Sequence, residues 1–79
     1  MQFAHEKTEH YTILRVLAEK LDSTIAPDLK SDLLMLNKDG VVNIILDLTN
    51  TRYCDSSGLS SVLVGNRLCK NENGTLVLV

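Results

Sequence analysis

Val41-Val42-Asn43-Ile44-Ile45-Leu46-Asp47-Leu48 is a nearly continuous apolar run, rich in β-branched residues. It reads as a strand covered on both faces, in the middle of a sheet that carries helices. A loop from Thr49 to Cys54 follows, and Asp55-Ser56-Ser57-Gly58 then opens a helix. Asp55, Ser56 and Ser57 are all good N-cap residues, and Gly58 permits a tight approach of the backbone. The helix runs from about Ser57 to Lys70, with Leu59, Val62, Leu63, Leu68 and Cys69 as its apolar positions. Asn71-Glu72-Asn73-Gly74 ends it. Thr75-Leu76-Val77-Leu78-Val79 reads as another buried strand.

The chain before this unit adds a hairpin and a helix. Tyr11 to Leu17 is β-branched and apolar and suits a strand. Gln2 to Lys7 is expected to pair with it, through a turn at Thr8 to His10 that contains no glycine. Leu21 to Pro27 reads as a loop. Pro27 and Asp28 form the first turn of a helix, where proline loses no bond and an acid favours the positive dipole end. Leu29, Leu33 and Leu36 follow at helical spacing, with Ile25 one step before them, and Asn37-Lys38-Asp39-Gly40 supplies the stop. The order β-β-α-β-α-β predicts an α/β fold, a small mixed sheet of about four strands with helices packed on it.

The chain has 79 residues, which predicts a single domain over positions 1–79. Its apolar fraction is 44%, and with no Trp and one Phe the core falls to Leu, Val and Ile. A net charge of −2 argues against a nucleic-acid footprint and against a polybasic membrane surface. No apolar run reaches transmembrane length, so no direct membrane insertion is expected. The start, Met1 to Lys7, has no basic segment followed by an apolar stretch. Cys54 and Cys69 form neither a CxxC pair nor a disulfide framework, which fits reduced thiols in the cytoplasm. The last apolar run stops at Val79 with nothing after it to cover its second face. That predicts a truncated domain, or a partner subunit that supplies the cover, a second copy of the chain (a homodimer) being one candidate.

The strand-loop-helix unit is also where chemistry is expected. In open α/β sheets, functional groups gather at the carboxyl ends of strands. A helix N-terminus carries unpaired N–H groups and about half a positive charge. A phosphate on Ser57 would therefore sit where negative charge is welcome. Capping alone explains the same residues, and both readings stand at this point.

Taken together, three motifs narrow the choice. Leu21-Asp22-Ser23-Thr24-Ile25-Ala26-Pro27-Asp28-Leu29, Ile44-Ile45-Leu46-Asp47-Leu48 and Asp55-Ser56-Ser57-Gly58-Leu59 occur in this order. Their set resembles the STAS domain, and most of all the bacterial anti-sigma factor antagonists. The resemblance covers about Tyr11 to Val79. It implies that Ser57, the serine just before the glycine, is phosphorylated by a serine kinase that is itself the anti-sigma factor, with Ser56 as the alternative site. The unphosphorylated form binds that kinase and so regulates transcription indirectly. Phosphorylation breaks the complex, and a phosphatase restores it. Asp55 would present the serine, and Asp22, Ser23 and Thr24 would share the partner surface with Asp55, Ser56, Gly58 and Leu59. The family also contains constitutive docking subunits of anion transporters, lipid-transport complexes and stress-signalling bodies, a second role of the same fold. No cofactor is implied. The chain departs from the family in carrying Glu19-Lys20 where a glycine is usual, and in stopping before a further strand and helix.

Other motifs carry less. His5 and His10 are five apart, whereas a helical zinc motif needs histidines four apart. No G-x-x-x-x-G-K-S/T loop occurs. Cys54-Asp55-Ser56-Ser57-Gly58 lacks the first glycine of a nucleophile elbow, so no enzyme activity is expected. Asn73-Gly74-Thr75 matches a glycosylation sequon but reads as a helix-ending turn. Arg52 and Tyr53 read as loop surface beside the serine, or as contacts to a partner or phosphate.

Overall fold

A computed structural model describes residues 2–79. In chain order the elements are β1 (Phe3–Lys7), β2 (Thr12–Val16), β3 (Lys20–Leu21), α1 (Ala26–Lys38), β4 (Asn43–Asp47), β5 (Tyr53–Cys54), α2 (Ser56–Asn71) and β6 (Thr75–Leu78). The hairpin forms as expected, with β1 antiparallel to β2 and Phe3 opposite Val16. Its turn closes without glycine because Thr8 does the work of one. The Thr8 hydroxyl accepts from the Tyr11 N–H at 3.1 Å and donates to the Tyr11 carbonyl at 2.8 Å.

The main sheet has the order β1-β2-β4-β6, with β4 parallel to both β2 and β6. Both crossovers, β2-α1-β4 and β4-α2-β6, step in the same direction across it. Right-handed connections then place both helices on one face, where α1 and α2 pack against each other. Thr12, Leu14 and Val16 of β2 and Ile44 and Leu46 of β4 are buried on that face. They join Leu21, Leu29, Leu33, Val62 and Cys69 in one core. His5 of β1 reaches α1 on the same side, its Nε2 lying 2.9 Å from Asp32 Oδ2.

One-sided layering corrects two expectations. The β4 strand is not covered on both faces, since Ile45 and Asp47 are only half-buried. The final strand is not buried either. It is the outermost strand of the sheet, Leu76 alone packs against the core, and Val77, Leu78 and Val79 are exposed.

The apolar positions of α2 divide. Leu59 and Leu63 are 55% and 53% exposed. Val62 and Cys69 are buried, as are Gly58, Ser61 and Gly65. Positions 58, 61, 65 and 69 recur at steps of three and four, with Val62 beside Ser61, so the five share one face. Three of the five are small, and that lets α1 and the sheet come close. A Cβ at position 65 would stand 2.8 Å from Leu33 Cδ1 and 3.1 Å from Leu76 Cδ1.

Two further strands were read as loops. Leu21 is fully buried and pairs in parallel with Cys54, and Lys20 pairs with Tyr53. Of the two free thiols, Cys69 is a core residue and Cys54 is exposed. Among the described residues no helix is long and apolar enough to cross a membrane.

Candidate functional site

The site lies where β4 ends and α2 begins. Asp47, the last residue of β4, organises the turn that follows. Its carboxylate accepts from the Thr49 N–H at 2.9 Å, from the Thr49 hydroxyl and from Arg15 Nε at 3.0 Å. The two Thr49 bonds and the Arg15 guanidinium hold its pKa down, to about 2.

Beyond that turn the loop is zipped to the segment before α1. Thr51 donates its hydroxyl to the Ala18 carbonyl at 2.9 Å. The N–H groups of Arg52 and Tyr53 both donate to the Glu19 carbonyl, at 2.8 and 3.2 Å. The β3–β5 ladder and a bond from the Asp55 N–H to the Leu21 carbonyl, 3.3 Å, complete the seam. Two loops distant in sequence are thereby held side by side. Arg52 and Tyr53 are bonded here through their backbone, and both side chains face solvent.

Asp55 is the N-cap of α2. Its backbone is extended, and its Oδ1 accepts from the Gly58 N–H at 2.9 Å. This satisfies one of the free donors of the first turn. Helix α2 starts at Ser56, one residue earlier than expected, and Ser57 is the second residue of its first turn. Gly58 is required by its neighbours: a Cβ there would lie 2.3 Å from the Leu21 carbonyl oxygen and 2.8 Å from Cys54 Sγ. The serine is thus mounted on a helix start pressed against β3.

The Leu21–Pro27 segment contributes a second turn at the same end. Asp22 Oδ1 accepts from the Thr24 N–H at 3.0 Å, and its carbonyl accepts from Ile25 and Ala26 at 3.1 and 2.7 Å. Between α1 and α2 runs a shallow groove. Ser23, Ala26 and Lys30 line one wall, and Ser57, Ser60 and Ser61 the other. Ser61 is buried and donates to the Gly58 carbonyl at 2.7 Å. Ser57 is half-buried on this groove, whereas Ser56 is exposed and does not line it.

The geometry therefore brings Ser23 and Ser57 together. Asp22 and Asp55 serve as turn and cap acceptors beside them. Thr24 is exposed in the turn, and Leu59 is exposed on α2 outside the groove. Lys30, Ser60 and Ser61 were not singled out from the sequence. Their signal was present as helical spacing, with Lys30 four residues beyond Ala26 and Ser60 and Ser61 three and four beyond Ser57. It becomes readable only once α1 and α2 are known to be neighbours. His5, outside the groove, is engaged with Asp32. No group of three or more metal-ligating side chains occurs among the described residues.

The STAS domain family matches residues 2–79, and the chain belongs to that family. Among solved structures, it is similar to the anti-sigma factor antagonist SpoIIAA in its unphosphorylated form. That likeness has 26% identity and a TM-score of 0.81, over 96% of this chain and 70% of the other. SpoIIAA, a Bacillus cell fate determinant, in its phosphorylated form is similar at 22% identity and TM-score 0.76, over 98% and 69%. An antisigma-factor antagonist STAS domain from Rhodobacter sphaeroides shares the fold at 14% identity and TM-score 0.78, over 98% and 83%. No curated protein matches the sequence.

Proposed function

We propose that this chain is an anti-sigma factor antagonist, a cytoplasmic protein-binding module switched by phosphorylation of Ser57. One observation carries the reading. Ser57 sits in the first turn of a helix whose start is locked by Asp55 and Gly58, half-buried on a groove between two helices. The likeness to SpoIIAA, a protein solved in both unphosphorylated and phosphorylated forms, supports it.

The partner is a serine kinase that acts as the anti-sigma factor, and the unphosphorylated chain holds it. The kinase moves the γ-phosphoryl group of a nucleoside triphosphate to the Ser57 oxygen: the O–P bond forms as the β–γ bond breaks, nucleoside diphosphate leaves, and the hydroxyl proton passes through the kinase to solvent. Roughly −1.5 to −2 charges and three acceptor oxygens arrive at a helix start that already favours anions. The fold bears this with little strain. A partner surface packed on the same spot does not, because an unpaired charge buried in an interface costs several kcal/mol. Each ~1.4 kcal/mol is tenfold in affinity, so one phosphate is enough to release the complex. A phosphatase resets it. The exposed Leu59, two residues from the serine, and the Ser23–Thr24 turn belong to the same contact surface.

The test is intact-mass analysis and phosphosite mapping of the protein from its own cells. Phosphate on Ser57 in part of the population is the expected result. No phosphate under any growth condition would overturn the switch and leave a constitutive docking subunit.

A further inference from the structure

The groove beside Ser57 contains one charged side chain, and it is a cation. Lys30 stands one turn beyond Ala26 on α1 and shares the wall that faces Ser57, Ser60 and Ser61. The ion pairs among the described residues are His5–Asp32, Arg15–Glu6 and Arg15–Asp47, and Lys30 belongs to none of them. The nearby carboxylates Asp22 and Asp55 form no ion pair with it. Asp22 is engaged with the Thr24 N–H and Asp55 with the Gly58 N–H. Asp28, in the first turn of α1, is exposed and does not line the groove.

We propose that Lys30 is the residue that receives the phosphate of Ser57, pairing with it across the α1–α2 groove and closing that groove in the phosphorylated form. This rests on Ser57 being the modified serine. The chemistry suits a lysine. Its ammonium is a compact charge on a flexible four-carbon stem with three rotatable donors, so it can follow a phosphate without a fixed approach geometry. The hydroxyls of Ser57 and Ser60 make the wall opposite Lys30 polar. Modification then acts twice. It adds charge at the partner surface, and it fills the groove beside Ser57.

The experiment installs phosphoserine at position 57 by genetic code expansion, with and without Lys30→Gln, and follows the phosphate by 31P NMR titration. A cation in contact lowers the second pKa of the phosphate. Lys30→Gln is expected to raise it by roughly half a unit to one unit, and Lys30→Arg to restore it. The Lys30 side chain is exposed, so thermal unfolding should report an unchanged fold for both variants. Titration curves that coincide in all three proteins would overturn the pairing. The phosphate here is installed and not acquired from a kinase. A failure of this contact is therefore separable from a failure of Ser57 to be modified in cells.

Discussion

Gly58 of α2 lies directly against the backbone of β3, so close that a Cβ on it would stand 2.3 Å from the Leu21 carbonyl oxygen. That oxygen also accepts the Asp55 N–H. One contact thus joins the Asp22 loop to the Ser57 helix, and the glycine beside the serine is there for packing. Gly58→Ala should force α2 away from β3 and cost about 1–3 kcal/mol, the usual range for overpacking. Urea denaturation measures it. A variant as stable as the wild type would mean that the seam yields easily and that the site is not rigidly mounted.

Asp47 links the same end of the sheet to acid stability. Its carboxyl is held at about 2 in the fold against 3.8 ordinarily, by the two Thr49 bonds first and by Arg15 after them. More than about a unit above 3.8 the group is ionised in both the folded and unfolded chains, and its contribution is complete. As pH falls from 3.8 toward 2, the unfolded chain takes up the proton first, so unfolding gains and stability declines. Asp47→Asn should flatten that part of the acid limb and leave its shape above pH 5 unchanged. Thermal melts across the acid range decide it, and an identical acid limb in the variant would remove Asp47 from the account.

The two leucine classes on the helices should respond oppositely. Leu33 is buried and fills the hollow over Gly65, so Leu33→Ala should cost about 2–5 kcal/mol. Leu63 is more than half exposed, and Leu63→Ala should change stability by no more than about 0.5 kcal/mol. Chemical denaturation of both variants checks the pair. A large loss at Leu63 would restore the core position that its apolar side chain suggests.

That contrast also marks what was legible before the fold was known. Leucine spacing in α1 named Leu29 and Leu33, which are buried, because apolarity and burial coincide there. In α2 they diverge. Reading by apolarity selected Val62 and Cys69, which are buried, together with Leu59 and Leu63, which are not, and it passed over Gly58 against β3, Ser61, and Gly65 against Leu33 and Leu76. The two-residue strands β3 and β5 had no local pattern at all, since each exists only through pairing with the other. The helix start at Asp55-Ser56-Ser57-Gly58 was legible because capping is local chemistry, and the resemblance to the family, not capping, singled out Ser57 within it. Lys30 was not legible, because its proximity to Ser57 is created by the packing of two helices.

Ser56 and Ser57 are adjacent in sequence yet differ in what they face. Ser57 is half-buried on the groove, and Ser56 is exposed and away from it. A partner seated across the groove covers the first and only skirts the second. Ser57→Asp should therefore weaken binding to the proposed partner, an anti-sigma serine kinase, by at least tenfold, a loss of about 1.4 kcal/mol or more. Ser56→Asp should lose much less, because a charge at the rim of an interface stays hydrated. An acid at either position also favours the N-terminus of α2, by about 0.3–1 kcal/mol, so neither variant should be destabilised. Calorimetric titration of each variant with the kinase separates the two positions. Equal losses at both would show that the partner reads charge at the helix end in general. A loss confined to Ser56→Asp would move the switch to that residue and away from the groove.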